Sequence, residues 1–121
     1  MEEWITLGPA DMVQPGTMQE VRAGERSVLL AHIGEHYYAV QARCPHLRAH
    51  LARGTLEGTV VTCPAHGSRF DLRTGQAASW IEGLPGMVRT VAQAFTKPKD
   101  LATFEVKVEK EQIWIRTLLS R

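Results

Sequence analysis

Apolar residues in this chain recur mostly at every second position, in short runs punctuated by glycine and proline. Trp4 to Leu7 is the first run, and Gly8-Pro9-Ala10-Asp11 and Gln14-Pro15-Gly16 break the chain after it. Met18 to Arg22 reads as a strand that stops at Ala23-Gly24. Ser27 to Ile33 and His36 to Val40 flank Gly34-Glu35, the signature of a hairpin with a two-residue turn. Thr55 to Glu57 and Thr59 to Val61 flank Gly58 as a smaller hairpin, and Arg69 to Asp71 is a third short strand beside it. Near the C-terminus Phe104, Val106 and Val108 alternate with Glu105, Lys107 and Glu109, so one face is buried. Lys110-Glu111 turns the chain, and Gln112 to Arg116 returns with Ile113 and Ile115. One stretch has a different period. Val88, Val91, Ala92 and Phe95 share one face of a helix, which predicts a short helix over 87–96 ended at Pro98. Its plainest role is to cover a bare patch of β-core, with a partner-docking element as the alternative. The pattern therefore predicts an all-β fold with one inserted helix and no internal repeats.

With 121 residues, the chain has the length of a single domain, 1–121. A net charge of +1, with no basic run, gives no support for a nucleic-acid partner. The N-terminus lacks the basic and apolar regions of a signal peptide, and no stretch is long and apolar enough for a membrane span. The two cysteines, Cys44 and Cys63, each have a histidine two or three residues downstream: Cys44-Pro45-His46 and Cys63-Pro64-Ala65-His66. Two thiolates and two imidazoles in two short loops form a metal-ligating set. A zinc finger usually pairs like ligands, as Cys-x-x-Cys and His-x-x-x-His, whereas here each loop holds one of each kind. A zinc-stabilised binding module remains the alternative from a different class. With both cysteines assigned to metal, none is left for a disulfide, which fits a reducing cytoplasm. His32, His36 and His50 read as solvated side chains, with replacement of a ligand or tuning of proton release as the alternative for His50.

The mixed Cys/His loops resemble the Rieske iron–sulfur family, in which Cys2His2 ligation holds a [2Fe–2S] cluster. Gly67, Phe70-Asp71 and Thr74-Gly75 extend the resemblance, which is densest from Arg43 to Gly75. The resemblance implies an antiparallel β-sandwich with an inserted cluster-binding subdomain at about 43–75. It implies that Cys44 and Cys63 bind one iron and that His46 and His66 bind the other. It implies a soluble one-electron carrier without catalysis of its own, taking electrons from a reductase and passing them to a terminal oxygenase. A small Rieske subunit of a larger oxidoreductase, of the nitrite reductase type, is the second reading. The sequence does not set the oligomeric state.

The same resemblance bears on potential and docking. High-potential Rieske proteins join an extra cysteine from each loop as a disulfide; the matching positions here are Ala49 and Ala65. They also use a serine and a tyrosine to hydrogen-bond cluster sulfurs. Ser68 keeps the first, and Phe70 replaces the second and cannot donate. A lost donor disfavours the reduced cluster, which places the potential toward the low end of the roughly −150 to +300 mV Rieske span. Where relatives often place a glycine in the first loop, this chain has Leu47-Arg48. Between residues 43 and 73, five arginines face only Glu57 and Asp71, a net +3 in a chain of +1. Arg48 and Arg69 follow the two histidines and are the expected rim for an acidic partner. Trp80 reads by default as ordinary core packing, with a place beside the cluster unit as the alternative.

Overall fold

The computed structural model describes residues 4–45, 48–65, 67–79 and 100–117. The helix expected over 87–96 and Trp80 lie outside the described residues, as do His46, Leu47 and His66. Ten strands are described: β1 Trp4–Pro9, β2 Thr17–Ala23, β3 Arg26–Ile33, β4 His36–Gln41, β5 Thr55–Glu57, β6 Val60–Thr62, β7 Arg69–Asp71, β8 Ala77–Ser79, β9 Thr103–Glu109 and β10 Gln112–Thr117. Single 3-10 turns occupy Ala10–Met12 and Leu51–Arg53.

The strands form two antiparallel sheets. The larger runs β1-β10-β9-β4-β3-β2 and the smaller β5-β6-β7-β8. The predicted all-β architecture, with its smaller sheet inserted between β4 and β9, is therefore present. β1 runs two residues further than its apolar pattern, through Gly8-Pro9. A register shift between Thr6 and Gly8, with Gly8 at φ +140°, carries the strand past that break. β8, Ala77–Ser79, has no β-branched or aromatic residue to announce it; backbone pairing with β7 makes it a strand.

β3, between β4 and the edge strand β2, is the wall between two cores. Its run Val28-Leu29-Leu30-Ala31 is buried along its whole length, because both faces of the strand are covered. Val28 and Leu30 join Val13, Ala39, Phe104, Ile113 and Ile115 in one core. Leu29 and Ala31 join Val40, Cys44, Leu51, Val61, Cys63, Phe70 and Leu72 in a second. The second core welds the smaller sheet to the larger. A fully buried leucine, such as Leu29 or Leu51, contributes roughly 1.5–3 kcal/mol to that junction. The β9–β10 hairpin closes with Lys110 and Glu111 at φ +52° and +65°, the left-handed pair a type I′ turn demands. His32 departs from the solvated reading. It is half-buried, hydrogen-bonded through Nδ1 to the Val13 carbonyl at 2.9 Å and stacked on Tyr37 at 4.1 Å. His36 is exposed.

Candidate metal centre

Cys44 and Cys63 arrive in the second core from different elements. Cys44 follows β4, and Cys63 directly follows β6. Both are buried and they are not joined in a disulfide. Around each the backbone makes the same two bonds. In the first loop Cys44 N–H donates to the Ala49 carbonyl at 2.9 Å, and Arg48 N–H donates to the Cys44 carbonyl at 2.8 Å. In the second, Cys63 N–H donates to the Ser68 carbonyl at 2.7 Å, and Gly67 N–H donates to the Cys63 carbonyl at 3.1 Å. The two loops are thus internal copies, each closing over five residues past its cysteine. The copied residue four past each cysteine is left-handed in both: Gly67 at φ +78° and Arg48 at φ +60°. Glycine meets that requirement without strain, and an arginine does not.

The surroundings suit two thiolates. Leu51, Val61, Phe70 and Leu72 exclude water from the side of the sulfurs that faces the core. Ser68, a buried polar residue, lies at the foot of the second loop, and Phe70 is wholly buried on β7. Ala49 packs against this core and Ala65 is exposed, so the positions of the absent loop disulfide carry no thiol. Among the described residues no three of His, Cys, Asp or Glu gather as a metal site. The predicted imidazole ligands His46 and His66 lie outside the described residues. What the described chain offers is two buried thiols in matched loops, a donor set that fits one end of a metal cluster.

The arginines divide into two groups. Arg73 is committed to Asp71: its Nε and Nη2 reach the carboxylate at 3.2 and 2.9 Å, and its backbone N–H reaches Oδ1 at 2.9 Å. The hydrogen bonds from Arg73, with its positive charge, hold the Asp71 carboxyl below its ordinary range, and Asp71 raises the arginine in turn. Arg43 donates through Nη1 to the Arg48 carbonyl at 3.3 Å, across the first loop. Arg48, Arg53 and Arg69 are exposed, and no carboxylate among the described residues is ion-paired with them. The two arginines predicted to rim the site therefore stand on the surface.

Three residues near the loops escaped the sequence reading. Gln41 donates through Nε2 to the Arg43 carbonyl at 2.8 Å and accepts from Ala102 N–H at 2.7 Å. His50, read as a surface side chain, is half-buried with Nδ1 2.7 Å from Glu20 Oε1. Glu20 sits on β2, thirty positions away, so no local signal could pair the two.

Comparison with known proteins agrees with this arrangement. Residues 3–105 match the family model described as the Rieske [2Fe-2S] domain. The ferredoxin CarAc of Metapseudomonas resinovorans is 33% identical over 113 residues, covering 93% of this chain and 92% of that one. The ferredoxin component of biphenyl 2,3-dioxygenase from Rhodococcus jostii is 32% identical over 101 residues, covering 84% and 80%. A structure described as the complex of reduced oxygenase and oxidized ferredoxin in carbazole 1,9a-dioxygenase contains a chain 30% identical to this one. It superimposes with a TM-score of 0.76 over 97% of both chains. No helix of the described residues is long and apolar enough to cross a membrane. The matched loops, the two buried cysteines and a family model spanning most of the sequence lead to one assignment: the chain belongs to the Rieske [2Fe-2S] family.

Proposed function

We propose that this protein is a one-electron carrier that receives electrons from a reductase and delivers them to a terminal oxygenase, without catalysis of its own. The cytoplasm is its place of action, and residues 1–121 form one Rieske domain. The observation that carries the reading is the pair of loops with identical backbone bonds, each bringing a buried cysteine to the same core. Cys44 and Cys63 would hold one iron of a [2Fe–2S] cluster, and His46 and His66 the other. The cluster, when bound, accepts and releases a single electron.

The chain's residues set the conditions for that exchange. The Leu51, Val61, Phe70 and Leu72 side chains keep water from the thiolate end, which stiffens the site and lowers its local dielectric. Two neutral imidazoles in place of two thiolates leave the oxidised site without net charge, so an added electron meets less repulsion than at a four-cysteine site. Ser68 would donate to a cluster sulfur, and Phe70 would supply no donor where high-potential relatives have a tyrosine. Arg48 and Arg69, on the surface beside the two loops, would meet an acidic patch on the partner. Complementary charge of this kind acts mainly on the encounter rate and is screened beyond roughly 8 Å at physiological ionic strength.

Stopped-flow transfer from the reduced protein to a Rieske-type terminal oxygenase tests the reading. The rate should fall with added salt, and Arg48→Glu or Arg69→Glu should slow it at low salt with the cluster spectrum unchanged. Absence of transfer to any oxygenase partner would sink the carrier role. Transfer insensitive to both salt and charge reversal would remove the arginine rim.

A further inference from the structure

The two cysteine loops share their internal bonds but not their roots. The second loop closes the β6–β7 hairpin, and Thr62 pairs with Arg69 immediately outside it. That ladder carries its backbone pairing up to the residue before Cys63. The first loop leaves the end of β4, and the next strand in the chain, β5, does not pair with β4. An isolated Arg43–His50 bridge closes it, and the chain then enters the Leu51–Arg53 turn. Backbone bonds close the loop's roots, Leu51 N–H to the Ala42 carbonyl at 3.0 Å and Gln41 N–H to the Ala102 carbonyl at 2.9 Å, and side chains add to them.

Two side-chain contacts do so. At the incoming root, Gln41 clasps the Arg43 carbonyl and the Ala102 amide. At the outgoing root, the His50 ring reaches the Glu20 carboxylate at 2.7 Å. Glu20 lies in the middle of β2, where its cross-strand partner is Leu29 of the second core. Met18, two positions away on the same face, packs against that core as well. The bond therefore ties the first loop to the larger sheet. A carboxylate only accepts, so Nδ1 carries the hydrogen in either protonation state of the ring, and the charge on Glu20 strengthens the bond. Both side chains are two-thirds or more covered, which separates the pair from an exposed ion pair of little consequence.

We propose that Glu20 and His50 are a positioning pair for the first ligand loop. They hold Cys44 in register with Cys63, so that both thiolates are set for one cluster. This inference rests on the reading of the two loops as a cluster site.

Hydrogen exchange of the protein as purified, followed by mass spectrometry, separates the two loops. His50→Ala and Glu20→Ala should each speed exchange across residues 43–50 by about fivefold, the factor for a bond of ordinary strength. Residues 63–68 should stay as they are. The double variant should be no faster than either single one, because the two side chains act through one bond. His50→Asn, whose amide N–H takes the place of Nδ1–H, should return the rate to within about twofold of the parent. Release of iron to a chelator should follow the same order. Equal acceleration in both loops, additive single effects, or an asparagine variant as fast as the alanine one would each overturn the pair. Iron content, measured separately, decides the cluster reading; the exchange pattern decides the brace.

Discussion

Arg48→Gly isolates the cost of a cation held in a glycine conformation. Arg48 adopts φ +60° at the place where the second loop has Gly67 at φ +78°. A left-handed backbone costs an L-residue roughly 1–2 kcal/mol. Glycine removes that strain but regains conformational freedom when unfolded, a loss of roughly 0.5–1 kcal/mol. The backbone bonds from Arg48 N–H to the Cys44 carbonyl and from Arg43 to the Arg48 carbonyl survive the change. The net effect is a gain of about 0.5–1 kcal/mol, read as a rise of about 2–5 °C in apparent melting midpoint at a fixed scan rate. Arg48→Ala is the control: it removes the same charge and keeps the Cβ, so it should not gain. Both variants should deliver electrons more slowly at low salt. A glycine variant no more stable than the alanine one would refute the strain argument. A gain in stability with full transfer rate would mean the strained arginine serves no docking role.

Phe70→Tyr would add a donor on a fully buried side chain of β7. A hydrogen bond worth about 1 kcal/mol more in the reduced state raises the potential by about 40 mV, and an unchanged value in voltammetry would place the phenol away from the sulfurs. Asp71 has its carboxyl held low by Arg73. Its contribution to stability is therefore present above the ordinary aspartate range and fades as pH falls through the lowered folded value. Asp71→Asn should weaken the fold at neutral pH and flatten the acid limb of a denaturation profile; an unaltered acid limb would count against the pair. Lys110→Asn with Glu111→Gly supplies the residues a type I′ turn favours, and should add about 1 kcal/mol, checked by urea denaturation.

The strands were legible from a period of two, as in Phe104, Val106 and Val108, although the buried face it predicts ends before Val108, which is exposed. The unbroken run Val28-Leu29-Leu30-Ala31 was legible as a strand, yet its reason, a core on each face, required the tertiary fold. β8 left no mark because its strand state comes from pairing with β7 and from the Asp100 carboxylate that accepts Ala77 N–H. The cysteine loops were legible from residue type and spacing alone. Their supports were not. Glu20 and His50 are distant in sequence, and Gln41 looks like any polar strand end. The Leu47-Arg48 departure was visible, but only the backbone angle gave it a physical meaning.

The central claim is a Rieske cluster held by two cysteines and two histidines of this chain. Iron and acid-labile sulfide analysis with electron paramagnetic resonance, on protein purified without oxygen, tests it most directly. The account predicts about two irons and two sulfides per chain, with the low-g signal of mixed Cys/His ligation after reduction, lost together in Cys63→Ser. One zinc per chain with no iron, or full cluster content in Cys63→Ser, would contradict it.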